Sequence, residues 1–536
     1  MMLAQVTSPE IVWWSILPLL TLAGGGVFLL TFASLYKKAP DWAWPAWTVA
    51  VAIGTIVTSM VSWAKLDNLP TDGTAPDEST DLWFETLGGM LTVDKMGVGS
   101  GIVLAAIVGL VALLGFDYLR REQLPSVEFY VLMMLSAAGG LTMAMANDLI
   151  VLFLGLEVLS IAIYVLAAYH LRRPTSQESG MKYFILGAFS SAFFLYGIAL
   201  IYGATGTTKL AGIREAPIQV TDGDSGLLLA GIALLLVGFG FKVAAAPFHT
   251  WTPDVYDGAP SPAVAFMASA VKVAAFVAMY KVFVLALFPV ADDWEPMLYA
   301  LAVASLLIGS VLAVVQTNVK RMLAYSSISH AGFMLVALQA GGKLNTLVEP
   351  GPDAIEGVGP AIQSGSALLF YTVVYAFMVV GTFAIVTVVG GRGDGDHELG
   401  AYNGLASRRP VLALAFTVLL LSQAGVPFTS GFIAKLEVVS AASDAGSQWL
   451  AVIAMASAVI AGFLYLRIVL AMFAGDDAEA SEDADDEEVE PASMLAIPPA
   501  TGVVIAVAVG VTLLLGVFPG ILDDLTQQAV RNILAL

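Results

Sequence analysis

Five ionisable residues interrupt apolar stretches that are otherwise fit to cross a bilayer: Glu157, Lys242, Lys272, His330 and Lys435. A charge at the centre of the hydrocarbon costs roughly 3 kcal/mol even on lenient insertion scales, so groups kept there are expected to bind or move charge. Lys272 is the plainest case. In the run from Ser261 to Lys281 it stands eleven residues from one end. That puts it about 15 Å deep in a layer about 30 Å thick, too far for its stem to snorkel. Glu157, the only ionisable carboxyl between Leu149 and Tyr169, is shorter still. It is read as an opposite charge for a lysine or as a neutral carboxyl hydrogen-bonded between helices. Lys242 lies five residues before Pro247 and is either inside its span or snorkelling from the end of it. His330 has Ser326, Ser327 and Ser329 beside it. Such a cluster passes protons through hydroxyls and trapped water, or simply ties helices together. Lys435 follows SQAGVPFTSGF, a helix-breaking segment within a run of 33 residues from Val411 to Ser443. Together these residues point to an ion path.

Long helices must hold them. Of 536 residues 58% are hydrophobic and 12% charged, too little polar surface for a soluble globule. The expected fold is an all-α polytopic membrane protein with about fourteen transmembrane helices between residues 11 and 519. Pro247-Phe248 and Pro427-Phe428 each interrupt an apolar helix near a lysine, 180 residues apart. Five spans separate them, an odd number, so matching elements would cross the membrane in opposite directions. The expected division is a three-helix segment over 1–120, five-helix repeats over 121–290 and 291–475, an acidic loop over 476–495, and a last span with an amphipathic end over 496–536.

The charge pattern narrows the function. The formal charge is −20, which argues against nucleic acid as a partner. Half of it sits in the ten acids between Asp476 and Glu490, read as a solvated loop. Thirteen Lys and Arg fall on connections of one side of the membrane and six on the other, which sets both termini outside the cytoplasm. There is no cysteine, and the four histidines are scattered without metal-ligand spacing. Gly238-Phe239-Gly240 lies in a membrane helix and lacks the third glycine of a dinucleotide loop. Gly391 to Gly400 lacks calcium-loop spacing and is read as a turn-rich connection. Glu437 lies two residues after Lys435, on another helix face, and is read as peripheral. Ile521, Leu525, Ala529 and Ile533 recur at four-residue steps and predict a short amphipathic helix on the membrane surface or against a partner.

The stretches GFKVAAAPFHTWTPDVYDGAPSPAVAFMASAVKVAAF, NVKRMLAYSSISHAGF and GVPFTSGFIAK resemble the antiporter-like membrane subunits shared by respiratory complex I and Mrp-type cation/proton antiporters. The resemblance covers roughly residues 125 to 475 and implies proton translocation driven by redox chemistry elsewhere in a complex. It sets Glu157, Lys242, Lys272, His330 and Lys435 on the family's central polar axis and moves Lys242 to the membrane midplane. It implies no cofactor or metal in this chain, with NADH, flavin, iron-sulfur clusters and quinone handled by other subunits. Expected partners are the lipid bilayer and membrane-arm subunits of the A, J, K and M types, in a bacterial or archaeal cytoplasmic membrane. The rivals are an Mrp-type sodium/proton antiporter subunit and a non-conducting scaffold.

Overall fold

A computed structural model describes residues 11–36, 38–68, 84–216, 224–343, 358–395, 397–474 and 497–534. The acidic run from Asp476 to Glu490 lies outside the described residues. The first part of the chain comprises α1 (Trp13–Leu35), α2 (Ala43–Asp67), strands β1 (Phe84–Thr86) and β2 (Leu91–Val93), α3 (Lys95–Glu122), α4 (Val127–Met145), α5 (Leu149–Ala167) and α6 (Pro174–Thr205). Then come α7 (Leu210–Glu215), α8 (Asp224–Val243), α9 (Thr252–Gly258), α10 (Ser261–Met279), α11 (Ala291–Val314), α12 (Val319–Lys343) and α13 (Val358–Val389). The chain closes with α14 (Leu405–Arg408), α15 (Pro410–Ala424), α16 (Ser430–Asp444), α17 (Gln448–Phe473), α18 (Pro499–Val517) and α19 (Gly520–Leu534). The one departure from an all-helical chain among the described residues is the β1–β2 hairpin, paired antiparallel in the connection between α2 and α3.

Twelve helices among the described residues are long and apolar enough to cross a membrane. Two expected spans do not meet that description, for opposite reasons. α12 is long, but Lys320, Arg321, three serines and His330 dilute its apolar character. The other is divided into α15 and α16, of 15 residues each, about 22 Å apiece and short of the bilayer core.

α10 is the centre of the bundle. Every residue from Ser261 to Ala286 is buried, the last turns as a π-helix over Tyr280–Ala286. Its alanine-rich surface lets α3, α4, α8 and α13 approach closely. A helix wrapped in protein on all sides can carry charge that a lipid-facing helix cannot. α10 carries Lys272 and also Lys281, whose ammonium lies 2.5 Å from the Asp94 carboxylate.

Both breaks occur where proline and glycine predict them. α8 stops at Val243, Ala244 turns to φ +61°, and the chain passes Pro247 before the seven-residue α9. The freed amide of Ala246 donates to Ser305 Oγ at 2.9 Å, so protein satisfies the unwound backbone, as it must at this depth. α15 ends on Gly425 at φ +91°. At Gly431, where α16 starts, a Cβ would stand 1.9 Å from the carbonyl oxygen of Ser422, so only glycine lets the two halves meet.

The ends of the bundle differ in chemistry. At one, Arg121, Arg173, Lys320 and Arg321 meet Glu122, Asp254, Asp257 and Asp394. Asp394, in the segment expected to be a mere turn, is completely buried. Its carboxylate accepts from Ser261 N at 3.0 Å, Ser261 Oγ at 2.7 Å, Lys320 Nζ, Arg173 Nη1 and Tyr118 OH at 3.3 Å each, and pairs with His397 Nε2 at 3.2 Å. One side chain thereby fastens the starts of α10 and α12. At the other end, α19 packs on α3 and α13, with Asn532 Oδ1 accepting from Lys95 N at 2.9 Å. Its buried face holds Ala529, Val530 and Ile533, whereas Ile521 and Leu525 are exposed. Four-residue steps advance about 40° beyond a full turn each time, so the expected stripe rotates off the interface.

Candidate functional site

All four predicted cation and histidine positions are buried, with side chains turned into the bundle. Lys242, in the last turn of α8, donates to Ser160 Oγ of α5 at 2.6 Å. The rings of Tyr164 and Tyr183 lie 5.5 and 5.9 Å from the same ammonium, a cation–π setting. The snorkelling alternative is thus not adopted. Glu157 stands one turn before Ser160 on α5. No ion pair joins it to Lys242 among the described residues, and its buried Oε1 has no hydrogen-bond partner there. The Ser160 hydroxyl accepts from the lysine and donates to the Leu156 carbonyl.

Lys272 donates to Ser327 Oγ at 2.7 Å and also to the Ser327 carbonyl. Ser327 Oγ accepts from Tyr375 OH at 2.9 Å and lies 3.3 Å from Tyr256 OH. The Lys272 ammonium also sits 4.8 Å from the Tyr375 ring centre. Next to it on α12, Ser326 Oγ is 2.6 Å from Tyr465 OH, which is 3.1 Å from His330 Nε2. His330 Nδ1 is 2.6 Å from Tyr371 OH. The serines beside His330 thus part company: Ser327 serves Lys272, and Ser326 reaches His330 through a tyrosine from α17.

Lys435 lies beyond a ring. Phe333 is stacked on Tyr371 at 5.8 Å and presents its face to the Lys435 ammonium at 5.1 Å. That ammonium donates to the carbonyls of Gln423 and Ala424 at 2.8 and 2.9 Å. These are terminal carbonyls of α15 without helical partners, and a cation is favoured at such a C-terminus. The helix break is thus itself the ligand of the lysine.

The structure brings the predicted residues into four hydrogen-bonded groups: Lys242 with Ser160, Lys272 with Ser327, Tyr256 and Tyr375, His330 with Tyr371, Tyr465 and Ser326, and Lys435 with the broken helix. No direct hydrogen bond joins one group to the next among the described residues. Sequence reasoning missed Ser160, Tyr256, Tyr371, Tyr375 and Tyr465. One signal was available: Tyr371 and Tyr375 are four apart in an apolar helix, hence on one face. Among the described residues no three His, Cys, Asp or Glu side chains are grouped to hold a metal.

The family model described as NADH:quinone oxidoreductase/Mrp antiporter, transmembrane, matches residues 146–347 and 356–461. The chain is 40% identical to NADH-quinone oxidoreductase subunit N of Trichlorobacter lovleyi over 413 residues, covering 77% of this chain and 81% of that one. A chain in the structure of respiratory complex I from Thermus thermophilus superposes with TM-score 0.72 at 30% identity, over 95% of this chain and 98% of the other. A chain of the Mrp complex from Dietzia has the same fold, with TM-score 0.76 at 21% identity, over 97% and 98% of the two chains.

Proposed function

This chain belongs to the NADH:quinone oxidoreductase/Mrp antiporter family of membrane subunits, and from that premise we propose that it carries protons along Glu157, Lys242, Lys272, His330 and Lys435. It is a multi-pass, proton-translocating membrane subunit of an NADH:quinone oxidoreductase, working beside other subunits of the membrane arm. The observation that carries the path is Lys272, buried at the middle of a helix with no lipid-facing side and hydrogen-bonded to Ser327 of α12, whose chain neighbour Ser326 belongs to the group of Tyr465 and His330.

The physical drive is electrostatic. A carboxylate brought near a lysine in a dry site favours the loaded ammonium, and its withdrawal favours release. Opposite charges about 5 Å apart at an effective dielectric of about 20 interact by roughly 3 kcal/mol, enough to change proton occupancy about a hundredfold. Glu157, one turn along α5 from the serine that holds the Lys242 ammonium, is set to do this to Lys242. Lys272 and the α12 group then pass the proton inward, and Lys435 exchanges it with the far side. Water between these groups completes the line.

Redox cofactors and quinone are assigned to other subunits, with neighbours of the A, J, K and M types. The basic end of the bundle is assigned to the cytoplasmic side and both termini to the outer side of a bacterial or archaeal cytoplasmic membrane, on the strength of the Lys and Arg distribution. Two inverted repeats, over 121–290 and 291–475, are supported by the pair of helix breaks near Pro247 and Pro427.

The test is redox-driven pumping by the purified complex in proteoliposomes without sodium. Acidification is expected to persist there and to fall in Lys435→Ala, while electron transfer from NADH to an artificial acceptor is unchanged. Strict dependence on sodium would favour cation exchange instead. An unchanged proton yield in Lys435→Ala would favour the scaffold.

A further inference from the structure

A cavity of about 370 Å³ lies between α13, α16 and α19, lined by Gln363, Ser366, Glu437, Ser440, Asp523 and Arg531 among others. It occupies the end of the bundle that carries α19. Polar groups and a volume of several waters make it a place for solvent. Asp523 accepts from Ser366 Oγ at 3.3 Å and from Gln527 Nε2 at 2.9 Å, and Arg531 donates to Gln527 Oε1 at 3.3 Å. Ser440 Oγ accepts from Gln363 Nε2 at 3.3 Å. Gln363, Ser366, Ser440, Asp523 and Arg531 each thus have a partner. Glu437 differs: its Oε2 is buried and has no hydrogen-bond partner among the described residues. An unpartnered carboxylate oxygen at this depth is expensive unless it exchanges a proton or meets water.

Glu437 is two residues after Lys435, about 3 Å further along α16 and on another face. Lys435 turns to the helix break and Glu437 to the cavity. We propose that Glu437 is the proton carrier that links the Lys435 region to a solvent vestibule roofed by α19. Lys435 gives a proton to water at the break, the Glu437 carboxylate takes one up, and the acid releases it into the vestibule toward Asp523. The number of protons is conserved at each step and nothing is oxidised or reduced. The vestibule opens on the side that holds the termini. α19 is then the wall of the exit rather than a surface anchor. The proposal rests on Lys435 being the last carrier of the path.

The experiment measures protons pumped per NADH oxidised by the intact complex carrying Glu437→Gln, Glu437→Asp or Lys435→Ala. Glu437→Gln is expected to lose as much of the ratio as Lys435→Ala, and Glu437→Asp to keep at least half of that share. A normal ratio in Glu437→Gln beside a lowered one in Lys435→Ala overturns the proposal and leaves the path intact. Normal ratios in both overturn the path itself. Equal losses in Gln and Asp variants count against a carrier and for a shape requirement. Because the chain has no native cysteine, Ser440→Cys supplies a second reading that does not depend on either Glu437 variant assembling. A charged, membrane-impermeant maleimide is expected to label it from the side of the termini. Labelling from the opposite side, or none from either, overturns the vestibule.

Discussion

Lys272→Ala is expected to leave an assembled complex that no longer moves this subunit's share of protons. The lysine is 3% exposed at the centre of α10 and has no carboxylate within ion-pair distance among the described residues. Its ammonium is held by one serine and the face of one tyrosine. A buried charge with so little compensation does not stabilise a fold, because the desolvation cost exceeds what hydrogen bonds return. Alanine removes that cost and leaves polar space that water fills, so thermal stability of the complex should hold or rise slightly. Pumping should fall because no group between Lys242 and the His330 tyrosines can accept the proton. Lys272→Arg sharpens the test: it keeps the charge but cannot release a proton, and it should be as inactive as alanine. Proton yield per NADH and the melting temperature of the complex decide the matter. Lost pumping with retained stability marks a carrier, and lost stability marks a structural cation.

Asp394→Ala is expected to have the opposite signature. Six donors from five separate parts of the chain converge on this carboxylate, among them the fully buried Lys320. Removing it strands a buried ammonium and the Ser261 amide at the start of α10, which costs about 3–5 kcal/mol. That is a large part of the stability of an ordinary domain. Complex recovered from membranes should fall severalfold, with Asp394→Asn intermediate because the amide still accepts from Ser261. Burial alone would raise the Asp394 pKa, but Lys320 and His397 hold it well below the usual carboxylate range. A depressed carboxylate contributes fully above its unfolded pKa of about 4 and loses the contribution only as pH falls through its folded value. Wild-type stability from this group should therefore be flat from pH 8 to pH 5.

How much of this was legible from sequence depended on contrast. Lys272, Glu157 and Lys435 stood out because hydrocarbon makes any charge conspicuous, and the breaks at Pro247 and Pro427 because proline and glycine leave few alternatives. Their partners did not. A serine such as Ser160 or Ser327 inside an apolar helix usually bonds its own backbone, and only packing decides which one faces a lysine. Tyr465 reaches His330 from a helix 135 residues away, a relation no local pattern contains. Asp394 was hidden in a glycine-rich connection because composition describes a loop's backbone and not its burial. Nothing local marks Lys281 and Asp94 as a pair, although the fold buries them against each other. Lys320, by sequence one of the thirteen basic residues on connections of one side, is fully buried.

The central claim is a wet line through an otherwise packed body, and the most direct measurement is a cryo-EM map of the parent complex good enough to show ordered water. The account predicts water density in two places: between Ser160 and Ser327, joining the Lys242 and Lys272 groups, and around Phe333, joining Tyr371 to the Lys435 ammonium. Unbroken side-chain packing at either place, in every state of turnover that can be trapped, would contradict it.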